Sequence, residues 1–321
     1  MTEEKLKNIL QKYLLQDEIE KAISMIREIN ILKKEKNAVI LGHNYMTPDV
    51  YYGVSDYTGD SLALAQSAAK TEADIILFNG VYFMAETAKI LSPSRKVLIA
   101  DEDAGCSLSE SITGDDVLSF KESHPGVPVI TYINCSAEVK AASDIVCTSS
   151  NAVKVVNSVA EDTVYLIPDG FLAKNVQKKT DKKILYWNGK CMVHELFSEM
   201  DITMARKNFP GVKVLAHPEC KPEVTKLSDY TGSTSQIQDY IQNEHPEQVL
   251  LLTECSMGEN IKGENDSVDF VSTCQVCPHM KKITLERVLH SLKCETYEVQ
   301  VPEEIRVNAE KSLRRMLAIG R

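Results

Sequence analysis

Residues 55–61 read SDYTGDS and residues 228–234 read SDYTGST. Two near-identical heptapeptides so far apart in one chain mark an internal repeat. Working outward from them gives three copies of one unit, over 38–106, 127–191 and 212–277. Each opens with a short apolar strand: AVILGHNY, VPVITYIN and VKVLAHPE. A polar tail follows, then a valine (Val50, Val139, Val224), an aspartate (Asp56, Asp144, Asp229) and, five residues later, a hydroxyl (Ser61, Ser149, Thr234). Helical stretches come next (LALAQSAAK, NAVKVVNSV, SQIQDYIQN), then second strands in ADIILFNG, TVYLIPDG and QVLLLTEC. The first two copies continue with a helix and a third strand. The third copy is polar between Glu259 and Phe270, which weakens its helical pattern. Strands alternating with helices predict βαβ units, and near-continuous apolar strands predict parallel sheets covered on both faces. The expected fold is α/β: three homologous three-layer α/β/α domains related by pseudo-threefold symmetry.

The expected boundaries are 38–107, 108–192 and 193–282 for the repeats. Residues 1–37 read as helices packing on them, with apolar residues at helical spacing from Leu6 to Ile31. Residues 283–321 read as a helix, a short strand (TYEVQV) and a helix opening at Pro302, a favoured first position.

Ligands in an open parallel sheet bind beyond the carboxyl ends of the strands. Aligned on the shared valine, His43, Tyr132 and His217 occupy one slot there, and Tyr45, Asn134 and Glu219 another two residues on. Side chains two apart on an extended chain point to the same side, so each repeat sends a polar pair toward one region. Ser61, Ser149 and Thr234 fall where helices begin, where free N–H groups and the helix dipole favour anions. A single Ser or Thr there is ordinarily an N-cap, and a single His at a strand end is ordinarily structural. Recurrence across copies is what argues for a site.

The chain has 321 residues, a net charge of −10 and nine cysteines. That charge argues against nucleic acid as a partner. No apolar run is long enough to span a membrane and no signal core opens the chain, so the expected location is the cytoplasm, where thiols stay reduced. Cys106, Cys191 and Cys277 each close a repeat, 85 and 86 residues apart. Three thiolates select an iron–sulfur cluster or zinc, and three ligands on a cubane leave one iron open as a Lewis acid. Cys135, Cys147, Cys220, Cys255 and Cys294 have no counterparts and read as small core residues. Cys274 forms a CxxC with Cys277. Cys277 is preferred as ligand for its spacing, with Cys274 a redox modulator.

The strings GHNY (42–45), SDYTGDSL (55–62), NGVYFMAETAKIL (79–91), YIN (132–134), CTSSNA (147–152), WNGKCMVHE (187–195), HPEC (217–220), SDYTGSTS (228–235) and CQVCPHMK (274–281) resemble the quinolinate synthase family over nearly the whole chain. The resemblance implies one [4Fe–4S] cluster at the centre of three domains, held by Cys106, Cys191 and Cys277. It implies condensation of iminoaspartate with dihydroxyacetone phosphate to quinolinate, releasing phosphate and two waters, in NAD biosynthesis. L-aspartate oxidase would supply the iminoaspartate. The implied substrate residues are His43, Ser61, Tyr132, Asn134, Ser149, His217, Glu219 and Thr234, with Tyr45 and His194 handling protons and phosphate. Glu219 is expected to be the general base, with His217 and Tyr45 as partners. Some members carry CxxCxxC near the third ligand; Val271 stands here where its first cysteine would fall. Rival readings are another [4Fe–4S] hydro-lyase acting on a small hydroxy acid, an electron-transfer protein, and a non-catalytic metal or redox sensor.

Overall fold

A computed structural model describes residues 1–265, 267–271 and 273–320. Its described residues form three four-stranded, wholly parallel sheets flanked by helices. The strands are β1 (Ala38–His43), β2 (Tyr57–Gly59), β3 (Ile75–Asn79) and β4 (Lys96–Ile99) in the first sheet. The second has β5 (Val129–Tyr132), β6 (Ile145–Cys147), β7 (Thr163–Ile167) and β8 (Lys183–Tyr186). The third has β9 (Lys213–Ala216), β10 (Tyr230–Thr231), β11 (Gln248–Leu252) and β12 (Asp269–Val271). All three sheets share one strand order: β2-β1-β3-β4, β6-β5-β7-β8 and β10-β9-β11-β12. The repeat read from sequence is therefore a repeat of topology. Central strands β1, β3, β5, β7, β9 and β11 are almost wholly buried, which is why they read as unbroken apolar runs.

The edge strands β2, β6 and β10 are additions to the sequence reading. Each spans two or three residues, too few to show alternation. They explain the triplicated aspartate. The side chains of Asp56, Asp144 and Asp229 accept the backbone N–H of Ile40, Val129 and Val214 at 2.7–2.8 Å. The backbone N–H of the same aspartates donates to Ile40, Val129 and Val214 carbonyls. Each carboxylate also pairs with a cation on the helix that precedes the first strand: Lys33, Lys121 or Arg206. Val50, Val139 and Val224 are fully buried, and the hydroxyls of Ser55, Ser143 and Ser228 cap their carbonyls. Valine and aspartate are thus structural elements of the repeat. The helix Gln16–Glu35, which carries Lys33, is the first copy's counterpart of Gly114–Ser123 and Glu199–Asn208.

Three further expectations change. The polar stretch of the third copy does contain a helix, Cys255–Glu264, whose N-cap Glu254 offsets its weak periodicity. Pro302 is the N-cap of Glu303–Ile319, one residue earlier than its favoured position. TYEVQV makes only an isolated antiparallel bridge, Leu98 to Glu298, because a single flanking strand gives it few partners.

The chain divides into two compact units. One comprises 1–104, 254–267 and 276–300, with the first sheet, the helix Cys255–Glu264 and the helix Leu285–Cys294 packed on Gln16–Glu35. The other comprises 105–253, 268–275 and 301–321. It holds the second and third sheets, and the helix Glu303–Ile319 packs there on Ala137–Ala142 and β6. No described helix is long and apolar enough to cross a membrane.

Candidate active site

In the larger unit, residues from the second and third repeats meet at the carboxyl ends of their first strands. Glu219, 3% exposed, lies at the centre. Tyr132 donates its hydroxyl to Glu219 Oε1. His194 Nδ1 lies 2.8 Å from Oε2 and 3.1 Å from Cys191 Sγ, while its Nε2 meets Thr253 Oγ1 at 2.9 Å. The His217 ring stacks on His194 at 4.7 Å, its Nδ1 3.8 Å from Glu219 Oε1. The Glu219 N–H points to His217 Nδ1 at 3.4 Å. His43 and Tyr45 reproduce this local geometry in the smaller unit: the Tyr45 N–H donates to His43 Nδ1 at 3.2 Å, and the rings meet edge to face at 4.7 Å.

Burial alone would raise the Glu219 carboxyl, but His194 and His217 beside it, with hydrogen bonds from His194 and Tyr132, hold it below the usual carboxylate range. Asp169 behaves oppositely. Its burial, and then the charge of Glu219, push it well above that range. Asp169 Oδ1 caps the helix Gly170–Gln177, and Oδ2 has no hydrogen-bond partner among the described residues.

The hydroxyl slots divide. Asp60 and Ser233 cap the helices Ser61–Lys70 and Thr234–Glu244, so Ser61 and Thr234 stand one residue inside as first helical residues and are not the N-caps. Ser149 lies three residues before Ala152–Ser158, whose N-cap is Asn151, because Thr148 and Asn151 close a turn there. Ser149 lines a cavity of about 1010 Å³ together with Pro218, the residue between His217 and Glu219. Lys154, Lys178, Lys179 and Lys226 line the same cavity, against one acid, Asp229. Asn134 is half-buried, and its Oδ1 has no partner among the described residues.

Each of the three repeat-closing cysteines begins the same turn. The N–H of the fourth residue on (Glu110, Glu195, Lys281) donates to the cysteine carbonyl of Cys106, Cys191 or Cys277 at 3.0–3.1 Å. A short 3-10 helix follows in every case: Ser109–Ser111, His194–Leu196, Met280–Lys282. Ser107 stitches the first two loops together, donating to the Lys190 carbonyl and accepting from the Met192 N–H. Cys191 is raised by burial, then by Glu219 and by Cys106, so the two sulfurs are electrostatic neighbours. Cys277 belongs to the other unit. None of the three is disulfide-bonded and all are partly exposed, whereas Cys135, Cys147 and Cys220 are fully buried as expected of core thiols. Cys294 is exposed at a helix end, and Cys255 and Cys274 are disulfide-bonded, so neither Cys255 nor Cys294 is a core residue. Since Cys277 is free, Cys274 does not pair with it. Partly exposed thiols outside any disulfide, in identical turns, suit soft metal coordination. Cys191 Sγ, His194 and Glu219 also lie within 4.8 Å of one another, a donor set that could hold a metal ion.

The chain matches the family model described as Quinolinate synthetase A protein over residues 27–318. The chain belongs to the quinolinate synthase family. Similar members include the quinolinate synthases of Xylella fastidiosa (strain Temecula1), 52% identical over 92% of this chain and 87% of the relative, and of Caulobacter vibrioides (strain NA1000), 52% identical over 91% and 81%. The quinolinate synthase of Sinorhizobium fredii is 53% identical over 91% of this chain and 81% of its own length. The matched span contains every site residue named above.

One further slot escaped the sequence reading. At the carboxyl ends of the second strands stand Asn79, the last residue of β3, and Asp169 and Glu254, each two residues beyond β7 and β11, all at most 1% exposed. Neither polar side-chain atom of Asn79 has a partner among the described residues. The signal was visible: ADIILFNG, TVYLIPDG and QVLLLTEC each place a polar residue next to last.

Proposed function

We propose that this chain is a cytoplasmic quinolinate synthase that condenses iminoaspartate with dihydroxyacetone phosphate, releasing phosphate and two waters, in the route to NAD. The observation that carries the reading is the buried Glu219 cluster beside Cys191, at the slots in which the sequence resembles the family. Cys106, Cys191 and Cys277 would hold the [4Fe–4S] cluster, which when bound supplies an open iron as a Lewis acid for dehydration.

Within that reading the chain's own side chains divide the labour. Glu219, kept ionised by its histidines, accepts protons from the substrate carbon or amine. Tyr132 and His194 orient its two oxygens. His217 is a hydrogen-bond partner for substrate oxygen. Asn134, whose Oδ1 has no partner among the described residues, and Ser149, which lines the cavity, would meet carboxylate or phosphate, while His43, Tyr45, Ser61 and Thr234 are assigned to the same substrates. Lysines along the cavity that reaches Ser149 favour anions over the rest of an acidic surface. L-aspartate oxidase fits as the source of iminoaspartate, an imine that water hydrolyses.

The test is anaerobic purification, counting of iron and sulfide, and an assay for quinolinate from both substrates. About four irons per chain and quinolinate that needs the triose phosphate are expected. Bound iron without quinolinate would point instead to a hydro-lyase acting on a small hydroxy acid.

A further inference from the structure

Buried Glu254 and half-buried Lys281 form an ion pair in the smaller unit. Glu254 is 0% exposed, and its Oε1 accepts Lys281 Nζ at 2.8 Å and the Cys277 N–H at 3.4 Å. Its Oε2 accepts the Ser256 N–H at 2.9 Å. Lys281 Nζ makes two further bonds, to the Tyr45 carbonyl at 2.9 Å and Ser256 Oγ at 2.6 Å, so its three protons are all used. The Lys281 N–H meanwhile donates to the Cys277 carbonyl at 3.1 Å. Cys277 is therefore gripped on both sides: its N–H by Glu254, its carbonyl by Lys281, and these two by each other.

The first repeat solves the same problem differently. There the fourth residue after the cysteine is Glu110, whose own carboxylate accepts the Cys106 N–H at 3.3 Å. Where the third repeat has a lysine at that position, the carboxylate comes from the end of β11's loop instead, as Glu254. Two unlike arrangements that reach one hydrogen bond to a cysteine amide indicate that the bond serves the cysteine. In both repeats the acceptor of that amide is a carboxylate, supplied from a different element each time. The same lysine ties down the loop that carries Tyr45.

We propose that Glu254 and Lys281 are positioning residues that set the Cys277 thiol for metal binding and couple its turn to the Tyr45 loop. The proposal rests on the reading of Cys277 as a metal ligand. Breaking one half leaves a buried charge alone and threatens folding, so the double exchange Glu254→Gln with Lys281→Met removes both charges together. Glu254→Gln alone, the double variant and the wild type are purified without oxygen with the iron they carry. Three quantities are read: iron release to a chelator, hydrogen exchange of the peptide spanning 276–282 against that spanning 105–111, and the thermal midpoint.

The expected result is release and 276–282 exchange each faster by about tenfold, the scale of one lost hydrogen bond to a charged group. The 105–111 peptide and the midpoint of the double variant should stay near wild type. Iron release at the wild-type rate from either folded variant overturns the proposal. If no preparation, wild type included, holds iron, the metal reading fails by itself, and unchanged exchange at 276–282 would then overturn the positioning role too.

Discussion

Glu219 shows how much of a residue's chemistry its neighbours decide. A carboxylate in that degree of burial would ordinarily take up a proton, and the two histidines and Tyr132 prevent it. Removing its charge by Glu219→Gln preserves shape and hydrogen bonding to Tyr132, and should lower turnover by at least ~100-fold, the usual share of a positioned base. Iron content measured on the same sample separates two roles. Unchanged iron leaves Glu219 a proton acceptor, whereas lost iron makes it a ligand alongside Cys191 and His194. The sequence named Glu219 and His217 because recurrence across copies singles out residues, and His194 through the resemblance to the family. It did not reveal that His194 and Tyr132 are the nearer partners, since their contacts join residues 87 positions apart or depend on the fold of a 3-10 turn. Asn79, Asp169 and Glu254 were missed for a related reason: a polar residue at or just past the end of an apolar strand looks like the start of a loop until burial is known.

At the scale of the element, the repeat is held by a clamp that sequence displayed without explaining. Asp144 accepts the Val129 N–H and pairs with Lys121, fastening β6 and the preceding helix to β5. Asp144→Ala should destabilise the chain by about 2 kcal/mol, chiefly through the buried strand amide left without its acceptor and only slightly through the exposed ion pair. Urea unfolding checks this, and Lys121→Ala should cost clearly less. Central strands were legible as unbroken apolar runs, and amphipathic helices because they repeat a period over many residues. Strands β2, β6 and β10 were not, because two or three residues carry no period and exist by pairing with a neighbour already in place. The helix Cys255–Glu264 was weakly marked for the opposite reason: its N-cap and buried face stabilise it, while its composition is polar.

For the whole molecule, charge and metal are the two properties that solution experiments reach most directly. Lys36 and Lys96, hydrogen-bonded to Glu295, hold its carboxyl down to about 2. A depressed carboxyl contributes stability that is fully present above its ordinary pKa, near 4.5, and is lost as pH falls toward about 2. Glu295→Gln should therefore be less stable at pH 7, by ~1 kcal/mol or less because the group is partly exposed, and the deficit should vanish near pH 2. Thermal unfolding of both proteins at several pH values measures it. The triplication itself was legible at this scale, down to the cysteine that closes each copy; the shared turn around each cysteine emerged only from backbone geometry. The proposed four-iron cluster, held at three corners by the equivalent thiols of Cys106, Cys191 and Cys277, is the central claim. Mössbauer spectroscopy of iron-57-enriched protein tests that directly. Three irons of one kind and a fourth that alone shifts when substrate is added are predicted; four alike and indifferent to substrate, or a single mononuclear iron, would contradict it.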